Sequence, residues 1–127
     1  MNAAVLHFRP RPGHYWPRAG GHCVGTIGSY TLFLGPSSGK ELSWEEAKQW
    51  AISLRVLGYR DFALPNLFEV ELLLRVMPER FAGRRHWTSD LQPGVLADAL
   101  VFAPEFGVIH FGRHYPCHAR AIRRHFD

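Results

Sequence analysis

The chain has 127 residues, 46% of them hydrophobic and 20% charged, with a formal net charge of +4 at pH 7. This is the composition of one globular domain spanning residues 1–127, long enough to bury a real core. No apolar run approaches the roughly 18 residues of a membrane span. The opening "MNAAVLHFRPRPGHYW" has an apolar run shorter than the ~7–15 residues of a secretory signal, so a cytoplasmic location is expected.

The charge is unevenly spread. Residues 1–40 carry Arg9, Arg11, Arg18 and Lys40 and no acid, the middle is acidic, and Arg113, Arg120, Arg123 and Arg124 return near the end. If the two ends lie together, they make one basic face. The two cysteines, Cys23 and Cys117, read as free thiols in a reducing compartment.

In chain order, the Gly-, Thr-, Tyr- and Phe-rich stretch from Cys23 to Leu34 predicts strands broken by turns, and "GPSSGK" at 35–40 a loop. Ser43 with Glu46 forms a capping-box pattern opening a first helix. Trp44, Ala47, Trp50, Ala51 and Leu54 fall on one face of it, and Gly58 is placed to end it in a left-handed cap. Residues 61–64 arrive extended, because Pro65 disfavours a helical residue ahead of it. Asn66 with Glu69 repeats the capping box, so a second helix leaves from Leu67 and stops before Pro78. "HWTSD" at 86–90 is a strand, "ALVFAPEFGVIHFGRH" two strands joined at 104–107, and "ARAIRRHF" a last strand. Strands, two adjacent helices, then more strands predict an α+β fold.

These motifs resemble the Lcl C-terminal-like domain family, whose members share a C-type-lectin-like fold. The resemblance is carried by Trp44 with Ala47, Gly58, "DFALPN" at 61–66, "EVELL" at 69–73, "HWTSD" at 86–90 and "RAIR" at 120–123. It covers roughly residues 30–125 and implies two helices packed on antiparallel strands, with the N- and C-terminal strands adjacent. Where the family pattern has Trp-Arg before the Leu-Pro turn, this chain has Phe62-Ala63, so no role of that arginine carries over. Members often have one cysteine in the first helix and another in the closing strand. The matching positions are Ala51 and Ala121, which the resemblance places face to face across the core. Losing both suits a reducing compartment.

The chemistry readable from residue types is sparse. His110, His114, Cys117 and His118 are zinc-ligand types, but on a strand His110 and His114 would stand about 13 Å apart, and no metal or other cofactor is expected. Cys117 beside His114 or His118 offers a nucleophile and a base without a visible oxyanion hole. Neither cysteine sits in a motif of the formylglycine-generating enzymes, and the calcium-site carboxylates of true C-type lectins are missing. "GPSSGK" lacks P-loop spacing. Arg9, Arg11, Arg18, Arg113, Arg120, Arg123 and Arg124 interleave with Trp16 and Tyr115, the residue types that bind single-stranded nucleic acid.

The resemblance implies binding rather than catalysis. The expectation is a non-enzymatic module, a phage or prophage accessory protein that binds a macromolecular partner, foremost a protein, as an inhibitor of a host system would. The competing class is a polyanion binder, taking nucleic acid or sulfated glycan on the basic face. An enzyme with Cys/His chemistry stands third.

Overall fold

The structure, a computed structural model, describes residues 21–126 and the backbone of Tyr15 and Trp16. Arg9, Arg11, Arg18 and the Trp16 side chain lie outside the described residues. In chain order come β1 (Tyr15–Trp16), β2 (Gly21–Ile27), β3 (Tyr30–Ser37), α1 (Trp44–Ser53), β4 (Phe62–Ala63) and α2 (Leu67–Val76). A 3₁₀ turn (Pro78–Arg80), β5 (His86–Gln92), β6 (Val95–Ala103), β7 (Gly107–Gly112) and β8 (Arg120–Phe126) follow. The fold is α+β, with two antiparallel sheets ordered β1-β2-β3-β8-β4 and β5-β6-β7. The closing strand β8 pairs with β3, placing Ile122 opposite Leu34; β2 and β3 stand between it and β1, so the terminal strands share one sheet without being the neighbours expected.

Both helices begin as their sequences dictate. The Ser43 and Asn66 side chains accept from the backbone N–H of Glu46 and Glu69, and each glutamate accepts from the backbone N–H of its cap residue. Four otherwise unpaired backbone donors are satisfied this way. The end of α1 differs from expectation. The helix stops at Ser53, and Leu54 is already extended. Gly58 (φ 88°) and Leu57 (φ 52°) instead form a two-residue turn closed by reciprocal backbone hydrogen bonds between Val56 and Tyr59. Two successive positive φ values are what such a tight hairpin turn needs. The loop expected at 35–40 is also shorter, because β3 continues to Ser37.

The five-stranded sheet is covered on both faces. On β8, Ala121 joins Phe62 of β4 and Ala47 and Ala51 of α1 in one core cluster. The next residue, Ile122, joins Leu32, Leu34, Val70 and Leu73 in the cluster beneath α2. Strand alternation makes this division: successive side chains point to opposite faces. β6 lies between the clusters, with Val101 in the first and Phe102 in the second. That double burial explains why residues 99–103 are uniformly apolar. Two buried indoles tie the first cluster together, Trp44 Nε1 donating to the Thr88 carbonyl (2.8 Å) and Trp87 Nε1 to the Leu42 carbonyl (2.7 Å). Ala51 and Ala121 are both fully buried within that cluster. Among the described residues, no helix is long and apolar enough to cross a membrane.

Candidate functional site

The described arginines of the expected basic face are engaged by partners within the fold, from the buried Arg123 to the partly exposed Arg113. Arg124 forms a bidentate pair with the fully buried Glu69, at 2.6 and 2.8 Å, and Tyr30 donates to the same carboxylate at 2.7 Å. Arg123 is 7% exposed, bonds Asp61 at 2.7 Å and lies over the Tyr59 ring. Arg113 pairs with Glu45 and covers the Trp44 ring. That bond is the main reason the Glu45 carboxyl is held below its usual range. Arg120 donates from Nε to the Gly35 carbonyl. Tyr115 is exposed and stacks on His114. The structure therefore brings three of these guanidinium groups to carboxylates from distant parts of the sequence, where each serves the architecture.

The histidine and cysteine group is dispersed among different partners. His110 Nδ1 bonds Asp98 at 2.6 Å, and His118 lies beside His86 with ring centroids 6.0 Å apart. Among the described residues, no three His, Cys, Asp or Glu side chains converge as metal ligands would. Cys117 is buried, and burial pushes its thiol up to about 11. Burial raises Cys23 as well. A thiol in that range holds almost no thiolate at neutral pH, and thiolate is the nucleophilic form.

His86 is 3% exposed and packs edge-on against Phe81 at 5.0 Å. Its Nδ1 sits 3.1 Å from the Arg84 carbonyl, which only accepts, so this nitrogen carries the proton of the neutral ring. Burial lowers its pKa to about 4. The unfolded chain takes up this proton near pH 6.5 and the folded protein only near 4, so stability falls as pH drops through that window. The expected loss is about 3 kcal/mol, complete below the folded value. Urea unfolding at stepped pH checks it: His86→Phe should remove this part of the slope, and an unchanged slope would refute it.

One open apolar surface stands out among the described residues. A groove of about 370 Å³ runs between the start of α2 and the β5–β6 hairpin, walled by Leu67, Phe68, Leu91, Pro93 and Leu100. Asn66 and Asp90 supply its polar edge, and Asp90 Oδ2 accepts from the Leu67 backbone N–H at 2.9 Å. Phe68 is 78% exposed, the most exposed of the large hydrophobic side chains described. Glu71 follows three residues later on the adjoining helix surface and with Asp90 puts two carboxylates on the α2 side, while Asp98 on the Leu100 face of β6 is bonded to His110. This groove has no motif in the sequence. Its one available signal is Phe68, an aromatic at the second helical position that lies off the buried stripe formed by Val70, Leu72 and Leu73.

Compared with protein-family models and with curated proteins, the chain matches none. The family resemblance accordingly rests on the motifs themselves.

Proposed function

We propose that this chain is a non-enzymatic binding module of C-type-lectin-like architecture that docks a protein partner in the groove beside α2. The observation that carries the reading is Phe68, held 78% exposed on the wall of an apolar groove. Isolated exposed apolar side chains are ordinary, but an exposed aromatic on a concave apolar wall is what binding hot spots use. The two carboxylates on the α2 side specify the occupant: a protein segment with an apolar anchor flanked by basic residues. A closing strand inserted in the same antiparallel sheet as the first strands, and a helix on each face of that sheet, support the architecture. The buried, high-pKa thiols support a non-enzymatic role. The phage or prophage setting follows from the family resemblance.

The test compares affinity capture from host lysate by the native protein and by Phe68→Asp, each with nuclease. A protein partner should survive nuclease with the native chain and be lost with Phe68→Asp. Once the partner is purified, Phe68→Ala should weaken Kd by roughly 30-fold, the effect of a hot spot of about 2 kcal/mol, with the unfolding midpoint unchanged. Equal capture by both proteins would refute the groove. Loss of all capture on nuclease treatment would favour the polyanion reading.

A further inference from the structure

Basic side chains from separate segments meet at one end of the core beneath α2, away from the groove residues in sequence. Arg120 precedes Ile122 by two positions on β8, so both point to the α2 side of the sheet. His22 is registered with Leu34, and Leu34 with Ile122, which puts His22 on that same face two strand spacings away, roughly 10 Å. Arg80 closes the 3₁₀ turn just before Phe81, whose ring packs on His86, and the His118 ring lies 6.0 Å from that of His86. After burial, the nearby charge of Arg80 lowers the pKa of Arg120, and both arginines lower that of His22. Among the described residues, no carboxylate is among the charges that shift Arg120. Nor does the N-terminal segment leading into β2 offer one, because residues 1–40 contain no Asp or Glu.

The donors of this cluster are only partly used. Among the described residues, Arg80 has no ion-pair partner, and Arg120 engages Nε alone, on the Gly35 carbonyl. His118 Nδ1 is buried with no hydrogen-bond partner among them, a costly state for a polar atom. We propose that Arg80, His118 and Arg120, with His22 beside them, form a binding site for a phosphate-type oxyanion. Guanidinium forks match phosphate oxygens in pairs, and a ring N–H supplies a further donor from another direction, which suits a tetrahedral anion. The site stands independently of the groove.

The experiment follows histidine ring signals by NMR while inorganic phosphate replaces chloride at constant ionic strength. His118 should move and saturate, and Arg80→Gln and Arg120→Gln should each weaken the apparent Kd at least tenfold. Arg55→Gln, at an exposed arginine bonded to its own helix-end carbonyls, should leave it unchanged. A short single-stranded oligonucleotide that saturates the same signals at lower concentration would identify the phosphate as that of a nucleic-acid backbone. Response to inorganic phosphate alone would identify a free phosphate or monoester. Absence of saturation overturns the site, as does saturation indifferent to Arg80→Gln, a variant that removes no ion pair found among the described residues.

Discussion

Arg124→Met is expected to lower stability by about 3 kcal/mol, measured by urea unfolding at pH 7, the lower end of the range for breaking a buried pair. Glu69 is fully buried on α2, and Arg124 reaches it from β8 with two charge-assisted bonds. Removing the guanidinium leaves a buried carboxylate with two neutral donors, the Tyr30 hydroxyl and the Asn66 backbone N–H. Those donors, and the 30% exposure of the Arg124 side chain, keep the cost from the top of the range. The charge is the cause, so Glu69→Gln should absorb most of the effect. In that background Arg124→Met should cost no more than about 1 kcal/mol, a coupling typical of residues in direct contact. Equal costs in the two backgrounds would mean that Arg124 acts by packing its stem rather than by pairing.

The Ala51→Cys/Ala121→Cys double variant is expected to form a disulfide on oxidation and to gain about 4 kcal/mol, less any strain, from closing a loop of about 70 residues. Its structural basis is that both alanines are fully buried in one cluster, one on α1 and the other on the sheet face that α1 covers. Its sequence basis is the family resemblance, which puts a cysteine pair at these two positions. Non-reducing electrophoresis and the shift in urea midpoint between oxidised and reduced protein measure both effects. A variant that stays reduced under oxidant would remove the alignment with the family and the functional reading drawn from it. Bridging would leave the native alanines as what remains when a cross-link gives way to small side chains.

The limits of legibility differ between local and distant interactions. Ser43 with Glu46 and Asn66 with Glu69 announce the helix starts because a capping box is complete within four residues. The end of α1 was harder to place: Gly58 does take a positive φ, but the choice between helix cap and hairpin turn depends on Val56 meeting Tyr59. The arginines show the same division at longer range. Their number and position along the chain suggest an open basic face, whereas Arg123 and Arg124 find Asp61 and Glu69 at separations of 62 and 55 residues.

By itself, then, the sequence determined the α+β class, both helix starts, most of the strands and the absence of acid from the first 40 residues, since each is set by neighbouring residues or by composition. Tertiary structure alone decided which charges are neutralised, which thiols are buried, and where Phe68 and Arg80 come to lie. The physical reason is that these properties depend on strand register and on the pairing of distant faces. A shift of one residue in β8 would exchange Ile122 and Arg124 for Ala121 and Arg123 beneath α2, with every local motif unchanged.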